Sequence, residues 1–522
     1  MNAKIFDVLE FPKIQEMLEK CATSQPGRLR CKSIMPETDI EKIQHMQDET
    51  SAARERIRHN AVISFSKVTD LSRVLENLEN GASLTPAELL RICDLLDTAS
   101  KAKAYGCREI PEEERDLLDA RFNQLSPLSK INEEIRRCIR SDTELFDTAS
   151  AGLEKARRKI KLAEDKIQNQ LRTFISGKYR NYLSETFICQ RDDAYCLAVK
   201  YACRSKVSGT VHGQSGTGGT VFIEPKSVAD TSSELQDHKY QEQIEIAIVL
   251  GDLSNMVKAQ LKYVKKNYAI LTELDFVFAK AYLSEKYNGT APILNRKKII
   301  SIKEGRHPLL DPDKVVPTTL ELGRDYDLLV ITGPNTGGKT LTMKTVGLMT
   351  LMGQAGLHIP AAEGSELSVF KEIFADIGDE QSIAQSLSTF SAHMTNIIKI
   401  LDIADKDSLV LIDELGSGTD SAEGAALAAS ILMRLHERQI RTLATTHYAQ
   451  IKSLALTTKG IQNACCEFDV ETLSLTYRLM IGAVGASNAF AISKRLGLED
   501  DIIESAKKFL QEDKIKERFD EY

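Results

Sequence analysis

The stretch Asp327-Leu328-Leu329-Val330-Ile331-Thr332-Gly333-Pro334-Asn335-Thr336-Gly337-Gly338-Lys339-Thr340 decides the fold of the second half of this chain. Its opening is a short apolar run of strand length. Gly333 to Thr340 then fits the spacing GxxxxGK[ST], with a helix expected to open at about Lys339. A buried strand, a glycine turn and a helix start make a cradle for phosphates. The glycines let backbone N–H groups turn inward, and the helix N-terminus adds positive potential. At that spacing Lys339 would reach the β- and γ-phosphates, and the Thr340 hydroxyl would hold Mg²⁺. The cofactors implied are ATP and Mg²⁺.

Working outward, two more apolar runs end in chemistry. Leu409-Val410-Leu411-Ile412 leads into Asp413-Glu414, and Thr442-Leu443-Ala444-Thr445 leads into Thr446-His447-Tyr448. Short continuous apolar runs with helices between them argue for a parallel sheet covered on both faces. Asp413 at a strand end can serve the metal, Glu414 can polarise the attacking water, and His447 can sense the γ-phosphate. Gly416-Ser417-Gly418-Thr419-Asp420 reads as a flexible loop, and Ser386-Leu387-Ser388-Thr389-Phe390, taken alone, as a helix cap.

Upstream the pattern changes twice. Residues 1–150 read as an all-helical region: Ile5, Val8, Leu9, Ile14, Met17 and Leu18 recur at helical spacing, as do Leu89, Leu90, Cys93, Leu95 and Leu96. Thr85, Pro86 and Glu88 form a helix start, with Thr85 as N-cap and Pro86 at the first helical position. From 151, Leu153, Ala156, Ile160, Ala163, Ile167, Leu171 and Phe174 make a narrow apolar seam, and a second long helix is expected over 235–287. Between them lie β-like pieces at 187–189, 195–199 and 220–223, the last preceded by Gly216-Thr217-Gly218-Gly219. The reading is a long antiparallel helical arm with a small β tip. Domains are expected at 1–150 (helical core), 151–290 (arm), 291–510 (α/β ATPase) and 511–522 (charged tail).

Composition sets the outer limits. With 522 residues, 42% hydrophobic and 27% charged, the chain is globular and multidomain, not collagen-like or disordered. Its 68 Lys and Arg against 75 Asp and Glu leave a net charge of -7, so any surface for nucleic acid must be local. Residues 151–206 supply one: 13 basic and 6 acidic residues give +7, against -14 for the rest. On an extended arm such a patch suits a polyanion, while a solvated helix face is the plainer alternative. No apolar run reaches the ~18 residues of a membrane helix, so no membrane partner is expected. Ten cysteines without a CxxC pair point to a reduced, cytoplasmic protein.

Taken together, GPNTGGKT, SLSTF, LVLIDELGSGTD, TTHY and the later Gly482-Ala483-Val484-Gly485-Ala486-Ser487-Asn488-Ala489 resemble, in order and spacing, the MutS branch of the ABC-type ATPases. Leu9-Glu10-Phe11, Ser24-Gln25-Pro26-Gly27 and the run from Gly216 to Pro225 resemble the second bacterial subfamily, MutS-two, which starts directly with the helical core. The resemblance covers nearly the whole chain. It implies a homodimer that sandwiches each ATP. The loop Gly333, Pro334, Asn335, Thr336, Gly337, Gly338, Lys339 and Thr340 would bind nucleotide with Asp413, Glu414 and His447 of one subunit. A segment bearing Ser386, Ser388 and Thr389 would act from the other. His307, in Arg306-His307-Pro308, resembles the segment lying near the base in relatives, with a turn residue before Pro308 as the alternative. For the clamped object the resemblance implies branched DNA, with recombination restrained, or a stalled or collided ribosome, reached through ribosomal RNA.

Two departures narrow the reading. Phe-x-Glu occurs at 222–224, 370–372 and 519–521, never within an N-terminal α/β domain, so mismatch reading is disfavoured. The subfamily ends in a coiled coil and a small Smr nuclease domain, whereas this sequence stops at Tyr522, so endonuclease activity is not expected of it. The competing class is a nucleotide-gated scaffold with little turnover, which the intact Lys339, Asp413 and Glu414 disfavour. A transporter-type or SMC-like protein would carry an LSGGQ-like signature, and none is present.

Overall fold

The structure, a computed structural model, describes residues 3–59, 63–106, 115–191, 194–333, 338–378, 389–469, 474–483, 490, 493–494 and 497–509. It divides into two compact units: residues 1–64, 109–121 and 272–522, and residues 65–108 and 122–271. Among the described residues no helix is long and apolar enough to cross a membrane, and the nine described cysteines are all free.

The first unit is organised by a six-stranded sheet. In spatial order its strands are Glu372–Asp376, Ser408–Ile412, Arg441–Thr445, Leu328–Thr332, Ile461–Asp469 and Ser474–Ile481. The first five run parallel, and Ser474–Ile481 closes one edge antiparallel. Leu328–Thr332 and Ser408–Ile412 are buried at every residue, as continuous apolar runs in a parallel sheet should be. In register, Ile331 pairs with Thr445 and Ile412 with Ala444, so the chain leaves these three strands at one edge of the sheet. A second, four-stranded sheet, Ile293–Asn295, Glu366–Ser368, Ile300–Gly305 and Thr318–Leu322, lies in the same unit.

The helix Lys339–Gln354 carries the glycine turn's output through this unit. Gly347 sits where a Cβ would come within 2.7 Å of Leu411 and 2.8 Å of Leu9, so glycine lets the helix close on the sheet and on the first helices. The helix ends in a Schellman motif: Gly356 takes φ 73°, its N–H donates to Gly353 O at 3.1 Å, and Leu357 N–H donates to Met352 O at 3.0 Å. That end is tied to the helix Ile40–His59 by buried polar groups. Gln47 Nε2 donates to Gly353 O and Leu357 O, both at 2.9 Å, Thr50 Oγ1 donates to Gly356 O at 2.9 Å, and Lys280 Nζ reaches Met46 O and Gly356 O.

In the second unit, Pro86–Gly106 begins with the capping box read from the sequence. Thr85 N–H donates to Glu88 Oε2 at 2.9 Å, and Glu88 N–H donates to Thr85 Oγ1 at 3.3 Å. Ala151–Ser176 packs along Lys226–Ala259 through Ala163, Ile167, Leu171 and Leu235. Arg157 meets Glu242, Lys166 meets Glu234 and Gln170 meets Thr231, a descending series that makes the pair antiparallel. Between these helices lies a four-stranded antiparallel sheet, in the order Leu183–Arg191, Ala194–Lys200, Thr220–Pro225, Gly209–Gln214. One of its faces puts Leu197, Val199, Val221 and Ile223 against Ile167 and Val228.

The sequence reading differs from the structure in three places here. The helix expected over 235–287 starts earlier, at Lys226, directly after Pro225, and breaks at Gln260, from which Leu261–Lys286 continues. Strand Gly209–Gln214 was not expected, because a glycine-rich edge strand has little apolar alternation to show. A two-stranded ribbon, Ile139–Ser141 with Glu144–Leu145, interrupts the region read as wholly helical, and at two and three residues its strands are too short for a periodicity to register.

Candidate nucleotide site

The carboxyl edge of the parallel strands gathers the side chains picked out from the sequence. Gly333 leaves Leu328–Thr332 at φ 126°, and Gly338, at φ 86°, caps the helix Lys339–Gln354. Both values suit glycine alone. Pro334, Asn335, Thr336 and Gly337 lie outside the described residues, as do Ser386, Ser388, residues 484–489 and the tail 511–522. Thr389 opens the helix Thr389–Ile403.

Lys339 is 1% exposed, and its ammonium donates to Gly333 O at 2.7 Å. It also lies 3.2 Å from His447 Nε2, which follows the strand Arg441–Thr445. Burial lowers the Lys339 pKa, opposed by the nearby Asp413 and Glu414 carboxylates. The His447 imidazole is also lowered, by desolvation and then by the Lys339 charge. A neutral ring whose Nε2 accepts from the ammonium satisfies both groups.

Thr340 and Asp413 meet directly: Thr340 Oγ1 donates to Asp413 Oδ2 at 2.6 Å. The other carboxylate oxygen, Oδ1, accepts from Thr445 Oγ1. Thr445 Oγ1 in turn accepts from Glu414 N–H at 2.8 Å, and Thr445 O accepts from Leu415 N–H at 3.0 Å. Glu414 takes φ 48°, a left-handed backbone that non-glycine residues seldom adopt, and these two hydrogen bonds hold it there. The turn after the acid strand is therefore fixed by the neighbouring strand. Farther along, Tyr448 OH donates to Gly416 O at 2.6 Å, and Gly416 packs so tightly on Gly424 O that a Cβ would come within 2.5 Å of it.

The donor set suits Mg²⁺. A Thr hydroxyl and a carboxylate are hard oxygen ligands, the type that holds this ion together with phosphate oxygens and water. Among the described residues no group of three His, Cys, Asp or Glu side chains gathers as a cage made wholly of protein. A metal here fits one shared with phosphates.

His307 sits beside the start of the same helix. It lines a cavity of about 270 Å³ with Leu310, Val315, Thr318, Gly338 and Thr342, among others. The ring is 5% exposed, accepts from Leu309 N–H at 3.3 Å, and is driven by burial to a pKa of about 4, so it is neutral. The lining is mostly aliphatic residues and threonines, with the His307 ring and Lys314 as its nitrogen-bearing side chains.

Three contributors were not singled out from the sequence. In the sequence Thr445 stands out only as part of its motif, and its place as the last residue of a buried strand beside the acid strand is the available signal. Tyr448 likewise carries no local sign of a role. Asp376, at the end of Glu372–Asp376, accepts from Asn396 Nδ2 at 2.8 Å and lies 2.8 Å from His393 Nδ1; nothing local in the sequence marks it.

Residues 329–514 match the family model described as MutS domain V. Endonuclease MutS2 of Lachnoclostridium phytofermentans is 51% identical over 516 residues, 98% of this chain and 65% of the relative. The chain belongs to the MutS family, in its MutS2 branch. Endonuclease MutS2 of Agathobacter rectalis is 51% identical over 97% of this chain and 64% of its own length. That of Acetivibrio thermocellus is 48% identical over 99% and 65%. The chain thus spans about 65% of the MutS2 relatives it matches.

Proposed function

We propose that this chain is an ATP-hydrolysing MutS2-type clamp that works as a homodimer on nucleic acid in the cytoplasm. The observation that carries the reading is the hydrogen-bonded run Thr340–Asp413–Thr445–Glu414 beside the Lys339–His447 contact, all at one edge of one parallel sheet. Lys339 and the amides of the glycine turn bind the phosphates. Thr340 and Asp413 hold Mg²⁺, which when bound neutralises phosphate charge. Glu414, fixed by Thr445, orients and polarises the attacking water. His447 contacts Lys339 and so reports on what the ammonium binds. His307 and its cavity receive the base, an apolar slot with a neutral ring to stack on. The segment bearing Ser386, Ser388 and Thr389 serves the partner's nucleotide.

The antiparallel helices Ala151–Ser176 and Lys226–Ala259 with their sheet form the arm that touches nucleic acid. The +7 charge of residues 151–206 supports this. Nucleotide drives the cycle only if it favours the closed clamp over the open one by a few kcal/mol. The clamped object is branched DNA or the RNA of a stalled ribosome.

Steady-state ATP hydrolysis tests the motor. Glu414→Gln should abolish turnover while retaining ATP binding, and Lys339→Ala should lose nucleotide affinity with the arm still folded. Equal, near-background rates for the wild type and Glu414→Gln would leave a nucleotide-gated scaffold instead. Co-sedimentation with ribosomes, set against binding to a four-way DNA junction at one salt concentration, identifies the target.

A further inference from the structure

The four-stranded sheet of the second unit ends in two turns that touch. Tyr201–Lys206 is a 3₁₀ turn after Ala194–Lys200, and residues 215–219 are the turn between Gly209–Gln214 and Thr220–Pro225. Tyr201 N–H donates to Gly219 O at 3.0 Å, which joins them. The glycine turn is itself closed by hydrogen bonds: Gly218 N–H donates to Ser215 O at 2.8 Å, Ser215 N–H to Thr220 O at 2.9 Å, and Thr220 N–H to Ser215 Oγ at 3.1 Å.

Its glycines are more numerous than its fold requires. Gly218 needs none but glycine, at φ 70°. Gly216 and Gly219 do not: neither lies in the left-handed region. A Cβ on Gly216 would meet nothing within 4 Å, and one on Gly219 only Thr217 Oγ1 at 4.0 Å. Among the described residues, the amides of Gly216, Thr217 and Gly219 donate to no acceptor. A bare, preshaped backbone with free N–H groups is what close approach of an anion calls for.

The adjoining turn adds charge and an aromatic face. Residues 194–223 contain Lys200, Arg204 and Lys206 and no Asp or Glu. Tyr201 is 44% exposed, and the Arg204 guanidinium lies over its ring at 5.1 Å while donating to its hydroxyl at 3.2 Å. Arginine on one side of a half-exposed ring leaves the ring's remaining surface to stack on a flat partner.

We infer that these two turns bind an unpaired nucleotide, the amides of Gly216, Thr217 and Gly219 with Lys200 and Lys206 taking its phosphates and Tyr201 taking its base. The inference rests on the nucleic-acid reading above and deepens it: the tip takes single strands in preference to duplex backbone, because a paired base offers no face to Tyr201.

Fluorescence anisotropy with a labelled 12-nucleotide single strand, as RNA and as DNA, and with the matching duplex, tests this on the whole chain. Tyr201→Ala should weaken single-strand binding about tenfold with an unchanged salt slope, and Tyr201→Phe should restore it. The double variant Gly216→Val/Gly219→Val should weaken single-strand binding with circular dichroism and ATP turnover unchanged. Whichever of RNA or DNA suffers the larger loss in Tyr201→Ala is the strand the tip takes. Equal single-strand binding by the wild type and all these variants would overturn the tip assignment and leave the nucleic-acid reading standing. A Tyr201→Ala loss as large for duplex as for single strands would overturn the unpaired nucleotide. A wild type that binds no single strand, duplex, junction or ribosome removes the underlying reading itself.

Discussion

Thr445→Val isolates the part of the site that geometry adds to the sequence. Thr445 is fully buried and valine has nearly its shape, so the change opens no cavity. It removes two interactions at once: the hydroxyl that donates to Asp413 Oδ1, and the acceptor that holds Glu414 N–H at 2.8 Å. A hydrogen bond to an ionised group is worth about 1.5–3 kcal/mol. If both acids then lose their alignment for metal and water, ATP turnover should fall roughly 10- to 100-fold. The assay is steady-state hydrolysis across a Mg²⁺ titration, beside direct nucleotide binding. Lys339 is untouched, so ATP affinity should change little, and the Mg²⁺ concentration for half-maximal rate should rise. Thr445→Ser keeps the hydroxyl and should recover most of the rate. A folded Thr445→Val protein turning over within twofold of the wild type would refute the argument that Thr445 aligns the acids.

The other predictions concern charge and its environment. Lys280 is 1% exposed, and burial lowers its pKa from 10.5 to about 8. Between those values the unfolded chain holds a proton that the folded chain has lost, so its contribution to stability rises with pH in that window, by about 3 kcal/mol in all. Lys280→Met should therefore stabilise the protein most below pH 8, the advantage shrinking toward pH 10.5. Gly356 O keeps its bond from Thr50. Denaturant titrations at pH 7 and pH 10 that show no such narrowing would contradict it. Reversing Lys155, Arg158, Lys159 and Lys161 to Glu should weaken polyanion binding and flatten its salt dependence, and an unchanged slope in a salt titration would make these charges a solvated helix face. Gln47→Leu removes the donors to Gly353 O and Leu357 O and should cost about 1–3 kcal/mol by thermal melting, since Leu357 O loses its donor while Gly353 O keeps the Gly356 N–H.

What was legible in the sequence follows the physics of each signal. The strands ending at Thr332, Ile412 and Thr445 are buried on both faces, so they stand out as apolar runs. The glycines at 333 and 338 are forced by positive φ and stand out by type. The seam of Ala151–Ser176 is readable because five of its seven residues are buried along one face of a single helix. What failed to register depends on a neighbour far along the chain. Thr445 matters through Asp413 and Glu414, and Asp376 through His393 and Asn396. The break at Gln260 likewise leaves no local mark, since neither glycine nor proline punctuates it.

The same dependence explains why the acid turn is built as it is. Glu414 at φ 48° costs of order 1 kcal/mol or more, and a glycine there would remove that cost along with the carboxylate. Strain is tolerated because the neighbouring strand supplies what the turn cannot: the Thr445 hydroxyl for Glu414 N–H and the Thr445 carbonyl for Leu415 N–H. Thr445 itself is fixed by its pairing with Ile331, the residue two before the glycine turn. Asp413, Glu414 and the glycine turn at Gly333 are thus indexed to one another through backbone pairing, not through flexible side chains. A shift of one residue in the register of Arg441–Thr445 would turn the Thr445 hydroxyl to the other face of the sheet and uncouple all three. That requirement accounts for a threonine, small, β-branched and able to donate and accept at once, at the end of an otherwise apolar strand.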